Sequence, residues 1–435
     1  MEQGELFTET KNLFERLCSI GMLSKGFQAV KANDGSPGID RVTVEGFEAK
    51  LAKELAQLKT ELESWSYKPK PVRRVEIPKP NGGVRLLGVP CIRDRVVQAS
   101  LKLLLEPIFD PEFSDSSYGF RPGKSQRQAI QAAQGYVQEG KEHVVDIDLS
   151  KFFDRINHDR LLMRVSQKVE DKRIIRLIGL TLRSGVMTEG NIQPTTEGTT
   201  QGSPLSPLLS NIVLDELDKE LEKRGLSFCR FADDCNIFVR SKKAAERVME
   251  SVSLLLEKKM KLVVNREKSK VAVASAVKFL GMTIVCGMVT ISAQAMDKAM
   301  DKIKELTPRG SHKTIERSIE DFNRWYRGWT NYFEMTQYPS QFAKLEAHAR
   351  RRLRARLARN LKRPRNLVKA MVKAGIPVKT AQRTVYGNNR WWALAHTWAM
   401  ERMYPNRWFE GVGLYTKSKE TLDHWFDVKE WIRVS

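Results

Sequence analysis

Apolar, strand-forming residues occupy most of the run from Leu226 to Val239, and two adjacent carboxylates, Asp233 and Asp234, stand at its centre. This pattern predicts two short strands joined by a tight turn. Apolar and polar residues alternate from His143 to Leu149, which predicts another strand that is buried on one face. We therefore expect Asp148 at the end of a strand and Asp233 at the tip of a hairpin.

The remaining patterns divide the chain into a mixed part and a helical part. Helices are predicted over about the first sixty residues, interrupted by a Gly/Pro loop at Asn33–Gly38. Strand and helix patterns mix from Trp65 to about Cys286. Beyond Ile291 one apolar face recurs at spacings of three and four residues, comprising Ile315, Ile319, Phe322, Tyr326, Trp329 and Phe333. The sequence thus predicts an α+β fold followed by a helical domain.

The composition of the chain indicates which class of partner it binds and in which compartment it resides. The chain has 435 residues, with 74 Lys and Arg against 52 Asp and Glu, a formal net charge of +22. This excess favours a polyanionic partner, above all nucleic acid, over a merely basic soluble protein. Five scattered cysteines argue against a disulfide framework or a zinc site. With neither a signal peptide nor about 18 consecutive apolar residues, we expect a cytoplasmic protein without a membrane span.

The two carboxylate clusters suggest a metal site. Burying like charges beside a sheet is costly unless a cation compensates them, and carboxylate oxygens suit Mg²⁺. If the strands carrying Asp148 and Asp233 are neighbours, their side chains can share two metal ions about 3.5–4 Å apart. Alternatively, the Asp-Asp turn is a solvated loop and Asp148 only a strand-end charge.

Seven motifs then occur in an order that is typical of one enzyme family. They are residues 74–90 (RVEIPKPNGGVRLLGVP), 117–122 (SYGFRP), the Asp148 strand, 201–207 (QGSPLSP), 231–234 (FADD), 265–270 (NREKSK) and 278–281 (KFLG). Over about residues 31–413 the chain resembles the reverse transcriptase-maturases encoded by bacterial group II introns. It departs from that pattern at Phe231, where the family usually has Tyr, and at Thr200, where it usually has Pro.

The resemblance implies a right-hand polymerase, with fingers and palm built on an antiparallel sheet with helices, followed by an α-helical thumb/maturase domain. The implied boundaries are 1–60 for an N-terminal extension that contacts template and intron RNA, 61–290 for fingers and palm, 291–385 for the thumb and 386–435 for a basic-aromatic tail. This tail has no cysteine and only His396 and His424, so we expect the compact type without an HNH endonuclease. It is either a DNA-contacting segment or a cap on the thumb.

The resemblance also assigns roles around the polymerase site. Asp148, Asp233 and Asp234 are expected to hold two Mg²⁺ ions, the first two being the stronger ligands. Phe153 is expected to place its ring against the sugar of the incoming nucleotide and exclude a 2′-hydroxyl, whereas Phe152 fits a core position. Lys268 is a candidate acid for the departing pyrophosphate, or else an exposed helix lysine.

Further residues are expected to bind the deoxynucleoside triphosphate. Lys79 and Arg85 flank the Asn81–Gly83 turn of a predicted fingers hairpin, and guanidinium and ammonium groups suit a triphosphate. Gln201 and Gly202 form a further pair, in which Gly202 allows the backbone to approach the templating base pair closely.

A segment whose charged residues are almost all positive is predicted to bind RNA. Residues 341–380 contain 13 Lys or Arg and one acid, Glu346. Leu353, Leu357 and Leu361 mark one helix face, and arginines are predicted to cover the remaining surface. Such a run would repel itself, so a phosphate backbone explains it better than a solvated face. The RNA-binding candidates are Arg350, Arg351, Arg352, Arg354, Arg356 and Arg359.

Taken with the resemblance, these patterns indicate an RNA-directed DNA polymerase that also binds its own group II intron RNA in a ribonucleoprotein. Its other partners would be an RNA template, a DNA primer or target, and dNTPs. One alternative is a related reverse transcriptase acting outside an intron, in DNA repair, antiphage defence or a CRISPR-linked system. Another is a splicing factor that binds RNA without polymerase activity.

Overall fold

The structure is a computed structural model that describes residues 12–78, 82–188, 191–388 and 390–418. The chain divides into two compact units, Met1–Val273 and Ala274–Ser435. The first mixes helices and strands, and the second is mostly helical, which confirms the α+β prediction.

The first unit contains ten α-helices and eight strands within its described residues. Its helices are α1 (Leu13–Cys18), α2 (Ile20–Asn33), α3 (Val44–Glu48), α4 (Leu51–Glu63), α5 (Ile92–Phe109), α6 (Gln126–Gln138), α7 (His158–Ser166), α8 (Lys172–Leu182), α9 (Ser206–Lys223) and α10 (Lys242–Leu254). Its strands are β1 (Val72–Pro78), β2 (Val84–Val89), β3 (His143–Ile147), β4 (Val186–Thr188), β5 (Asn191–Gln193), β6 (Ser227–Phe231), β7 (Asp234–Val239) and β8 (Lys270–Val273).

Local sequence sets where several of these helices begin. Ser125, Asn157, Asp171 and Ser241 each accept a hydrogen bond from a backbone N–H two or three residues later, at the first turn of α6, α7, α8 and α10. Each such cap satisfies a donor that the helix itself cannot pair, and contributes about 1 kcal/mol. These caps are recognisable in sequence because each precedes an amphipathic run.

Two sheets organise the first unit. One has the strand order β6-β7-β3-β8 and is antiparallel throughout, with Ile147 opposite Cys235 between β3 and β7. The predicted neighbouring strands are thereby confirmed. The other sheet has the order β2-β1-β4-β5, in which β1 and β2 form the predicted hairpin with Pro78 opposite Val84. Lys79 and Asn81 lie outside the described residues.

The N-terminal helices share one hydrophobic core with the rest of the first unit. Leu13, Phe27 and Leu62 are buried in the same cluster as Ile147 of β3 and Ile237 of β7. Hence the segment predicted as an N-terminal extension packs as part of the core of this unit.

The second unit joins a hairpin to eight helices in its described part. Its elements are β9 (Met282–Val285), β10 (Met288–Ile291), α11 (Ala293–Leu306), α12 (Ile315–Tyr332), α13 (Ser340–Asn360), α14 (Pro364–Lys373), α15 (Val378–Tyr386), α16 (Trp391–Leu394), α17 (Trp398–Met403) and α18 (Asn406–Gly411). The predicted apolar face of α12 is confirmed, because Ile319, Phe322 and Tyr326 are almost completely buried.

The predicted placement of arginines on the surface of α13 is wrong for three of them. Arg352, Arg354 and Arg356 are buried, and their guanidinium groups donate hydrogen bonds inside the protein. Arg352, for example, donates from Nη2 to the carbonyl of Thr307 at 2.8 Å and from Nε to its hydroxyl at 2.8 Å. These side chains hold α13 against α12 and neighbouring loops, so their guanidinium groups are not available to a phosphate backbone.

Arg350 and Arg351 are half-buried, and Arg359 is exposed. All five cysteines are free, and four of them are buried. Among the described residues, no helix combines the length and apolar character that crossing a bilayer requires.

The close contact between α2 and α5 provides a test of the packing. A Cβ on Gly26 would lie 2.1 Å from the Ser100 hydroxyl and 2.7 Å from the Val96 carbonyl, so Gly26→Ala forces the helices apart. We expect a loss of about 1–3 kcal/mol in the free energy of unfolding, measured by urea denaturation. On the same helix Gly21 has open space around its Cα, so Gly21→Ala should stabilise by up to about 1 kcal/mol. Equal effects of the two substitutions would contradict this packing.

Candidate active site

The hairpin of β6 and β7 places Asp233 at a turn. Phe231 pairs with Asp234, which leaves Ala232 and Asp233 as a two-residue connection. Ala232 has φ 58°, in the left-handed region that tight hairpin turns require. The predicted Asp-containing turn is confirmed, with Asp233 half-buried at its tip and Asp234 exposed at the start of β7.

Asp148 directly follows β3, beside the hairpin. The β3–β7 register ends with Ile147 opposite Cys235, so the next residues along the two strands are Asp148 and Asp234. Burial raises the pKa of the Asp233 carboxyl above its ordinary value, and the negative charge of Asp148 raises it further. The positive charges of Arg85 and Arg230 act in the opposite direction. Two acidic side chains therefore repel each other at this edge of the sheet.

Lys268 partly compensates this repulsion. Its Nζ lies 3.3 Å from Oδ2 of Asp148, although two-thirds of the lysine side chain is exposed. The adjacent Ser269 fixes the strand end, because its hydroxyl accepts a hydrogen bond from the Asp148 N–H at 3.0 Å. The structure thus brings Lys268 to the carboxylates, while its role in proton transfer stays a prediction.

The donors at this edge fit a hard divalent cation. Within the described part of the chain, no three His, Cys, Asp or Glu side chains converge as a preformed metal cage. Mg²⁺ does not need one, because it is commonly held by one or two carboxylates and completes its shell with water and substrate phosphates. The ammonium of Lys268 beside Asp148 shows that this position attracts positive charge.

A cavity of about 640 Å³ adjoins the carboxylate turn. Its wall combines Asp233, which the sequence analysis assigned to metal binding, with four residues that it assigned to nucleotide binding: Arg85, Phe153, Gln201 and Gly202. The helices α2 and α5 close it on another side with Asn33, Asp34, Arg95 and Lys102. Residues from the fingers hairpin, the N-terminal helices and the palm therefore meet around one concave space.

Two adjacent phenylalanines have different surroundings. Phe152 is 3% exposed and belongs to the hydrophobic core. Phe153 is half-buried, lines the cavity and packs edge-on against Phe152, with ring centroids 5.4 Å apart. The ring of Phe153 is therefore the one that an occupant of the cavity meets.

Gly202 has a structural role that the sequence analysis did not identify. Its φ is 109°, which L side chains rarely adopt, and a Cβ there would lie 2.8 Å from the Gly88 carbonyl. The neighbouring Gln201 carbonyl accepts a hydrogen bond from the Gly88 N–H at 2.9 Å. This glycine thus lets the loop pack directly on strand β2, which also carries Arg85.

A buried guanidinium fixes the turn from behind. Arg230 and Asp218 are both completely buried, with Nε 2.7 Å from Oδ1. Arg230 also donates to the Ala232 carbonyl at 2.9 Å, to Asn211 Oδ1 at 3.0 Å and to the Ser117 hydroxyl at 2.6 Å. Every N–H direction of the guanidinium fork is therefore used to position the residues around Asp233.

Gly119 completes this support. A Cβ there would lie 2.3 Å from the backbone nitrogen of Ala232, so only glycine fits behind the turn. Its carbonyl accepts a hydrogen bond from Asn211 Nδ2 at 2.9 Å. Gly119 lies in the 117–122 motif and Arg230 in the run from Leu226 to Val239, but neither had been assigned a role, because Gly119 and Ser117 are distant along the chain from Ala232 and Arg230.

Comparison with known proteins agrees with this geometry. Residues 77–284 match the family model of reverse transcriptase (RNA-dependent DNA polymerase), and residues 296–375 match the maturase-specific domain of group II introns. The order of these two domains decides the family. The chain belongs to the group II intron reverse transcriptase-maturases. This confirms the family, the fold class and the enzyme class predicted from the motifs.

Individual relatives cover different shares of this reverse transcriptase. Protein YkfC of Escherichia coli is 35% identical over 274 residues, 54% of this chain and 72% of that protein. The putative COX1/OXI3 intron 2 protein of Saccharomyces cerevisiae is 34% identical over an aligned region that covers 60% of this chain and 31% of that protein. The group II intron-encoded protein LtrA of Lactococcus lactis is 34% identical, with coverages of 52% and 37%. The chain thus spans about a third of the length of these two intron proteins.

The buried ion pair behind the turn can be tested by Asp218→Asn. This change keeps the side-chain shape but leaves the Arg230 charge buried without its counter-charge, so the free energy of unfolding should fall by about 3–5 kcal/mol. Urea denaturation followed by circular dichroism measures the loss.

Glu220→Gln is the matched control on the same helix. It removes the exposed ion pair with Arg224 and should leave the denaturation midpoint close to that of the wild type. A midpoint for Asp218→Asn as high as that of the control would show that the buried pair does not fix the hairpin.

Proposed function

We propose that this protein copies RNA into DNA at the cavity beside Asp148 and Asp233 and that it does so in complex with a group II intron RNA. The observation that carries the proposal is that Asp148 and Asp233 lie close together at one edge of the sheet, and that Asp233 lines a cavity together with Arg85 and Phe153. If the two aspartates were only charges at strand ends, nothing would require an arginine and an aromatic ring beside them.

Each side chain has a task in nucleotidyl transfer. Two magnesium ions held by Asp148 and Asp233, with Asp234 beside them, would supply activation of the primer hydroxyl and stabilisation of the leaving oxygen. Arg85 binds the triphosphate through its guanidinium fork, together with Lys79. Lys268, already at Asp148, donates a proton to the departing pyrophosphate.

The exposed cations lie further along the chain than most of the arginines that were predicted to bind RNA. No Asp or Glu occurs between Glu346 and Glu401. The exposed cations that continue beyond the buried part of α13 define a basic surface: Arg359, Lys362, Arg363, Arg365, Lys369 and Lys373. Exposed charges of one sign can release counterions from a phosphate backbone, whereas buried arginines cannot. We assign intron RNA binding to this surface.

The maturase-specific match at residues 296–375 favours action within an intron over action in an unrelated system. We place the N-terminal extension at 1–60, fingers and palm at 61–290, thumb at 291–385 and a C-terminal segment at 386–435. Leu394, Phe409 and Leu414 of this segment are buried in the cores of the helical unit, which favours a cap on the thumb over a DNA-contacting tail. The partners are then the intron RNA, an RNA template, a DNA primer or target and dNTPs, in the cytoplasm.

Removing either carboxylate charge tests the proposal. Asp148→Asn and Asp233→Asn should each lower the rate of RNA-templated primer extension by about a thousandfold or more, since metal-bound transition states are stabilised by several kcal/mol. Binding of intron RNA, measured by fluorescence anisotropy, should stay within about twofold of the wild type, because the basic surface is unchanged.

Asp159→Asn is the matched control, because Asp159 is an exposed aspartate of the same unit whose side chain is 87% exposed. It should extend primers at the wild-type rate. Near-normal extension by Asp148→Asn or Asp233→Asn would reject the assigned centre. Loss of RNA binding in step with extension would show that these variants had instead lost their fold.

Substitution of Phe153 tests sugar selection. Phe153→Ala should raise the use of ribonucleotides relative to deoxynucleotides, because the ring excludes a 2′-hydroxyl by contact. Phe153→Tyr keeps the ring and should keep the discrimination. The measurement is kcat/KM for matched dNTP and rNTP in primer extension. An unchanged ratio in Phe153→Ala would show that another group selects the sugar.

A further inference from the structure

A second large cavity lies wholly within the helical unit. Its volume is about 770 Å³, and it is bounded by α13 and by residues 396–407. Charged side chains at its wall include five cations and one carboxylate: Lys344, Arg350, Arg351, Arg354, Arg407 and Glu401. A concave space with this excess of positive charge concentrates anions.

Two of these arginines build the wall. Arg351 donates from Nη2 to the Trp392 carbonyl at 3.1 Å and lies over the indole ring of Trp392, 4.1 Å from its centroid. Arg354 donates from Nε to the Tyr404 carbonyl at 2.9 Å and from Nη2 to Asn406 Oδ1 at 3.3 Å. These hydrogen bonds fix the positions of both guanidinium groups at the wall of the cavity.

Arg350 is half-buried, and the carboxylate nearest to it already has other partners. Its side chain is 12% exposed, and its nearest carboxylate, on Glu346, lies 3.9 Å away. That carboxylate is already occupied, since it accepts hydrogen bonds from Tyr326 at 3.0 Å and from the backbone N–H groups of Lys417 and Ser418 at 2.7 and 2.9 Å. A guanidinium taken out of water in this way is costly unless an anion receives its N–H groups.

Other polar groups of the wall are also unused. Lys344 and Arg407 are exposed, and neither makes a side-chain hydrogen bond or ion pair with the residues that the structure describes. The Nε2 atom of His348 is buried and has no hydrogen-bond partner in the same part of the chain. Donors that remain unpaired on several sides of one cavity indicate a ligand with several acceptor oxygens.

We propose that this cavity binds a phosphate group that carries at least two negative charges, either at the end of a nucleic-acid strand or in a small free phosphate compound. The wall has four more cations than carboxylates, so a single diester charge would leave most of it uncompensated. Guanidinium forks match phosphate oxygens in pairs. This site shares no residue with the polymerase centre, and its test is independent of polymerase activity.

Isothermal titration of the full-length protein with sodium pyrophosphate in EDTA tests the site. The double variant Lys344→Gln with Arg407→Gln should weaken pyrophosphate binding at least tenfold, because it removes two unpaired donors from the wall. Lys379→Gln with Arg383→Gln removes one lysine and one arginine that are exposed on α15, outside the cavity. This control should stay within about twofold of the wild type, and unfolding midpoints establish that both variants fold.

Competition distinguishes the two sources of phosphate. Displacement of pyrophosphate by a 5′-phosphorylated RNA oligomer, but not by its 5′-hydroxyl counterpart, assigns the cavity to a strand end. Displacement by neither oligomer assigns it to a free phosphate compound. Equal displacement by both oligomers, equal affinity in the cavity and control variants, or no binding of pyrophosphate by the wild type would overturn the proposal.

Discussion

The position of the turn that carries Asp233 depends on a buried ion pair. The Arg230–Asp218 pair is completely buried, and the guanidinium also holds the carbonyl inside the turn that carries Asp233. Replacing such a pair by apolar groups often costs little or even stabilises a protein, whereas breaking it is expensive. Its contribution is therefore better sought in the placement of the turn. Arg230 also opposes the rise in the pKa of Asp233, so the same group fixes the position of the carboxylate and favours its ionised form.

Arginine serves as internal scaffolding in the helical unit as well. Arg352 and Arg356 donate to Thr307 and Ser318 on neighbouring segments, where a carbonyl or hydroxyl would otherwise be buried without a donor. Their charge contributes to the net charge of the chain but not to its accessible surface. Basic composition alone consequently overstates the area available to a polyanion, and the longest run of exposed cations begins near the end of α13, at Arg359.

Local patterns were sufficient to predict the palm strands, the Asp233 turn and the apolar face of α12, because alternation and three-four spacing depend only on neighbouring residues. The buried arginines of α13 were mispredicted, because leucine spacing identifies one packed face and cannot reveal that a second face is also covered. The support from Gly119 was missed for a related reason. Its requirement for glycine comes from Ala232, more than a hundred positions later, and a single sequence does not show which distant residues meet.

The helix that carries Gly26 packs tightly on α5 and also contributes Asn33 to the wall of the cavity beside Asp233. One helix is therefore constrained on one side by core packing and at its end by the shape of that cavity. Such a segment cannot be exchanged between related enzymes as a separate module, because a foreign helix would have to satisfy both surfaces at once. Over evolutionary time, the N-terminal helices and the palm of this family should therefore diversify together.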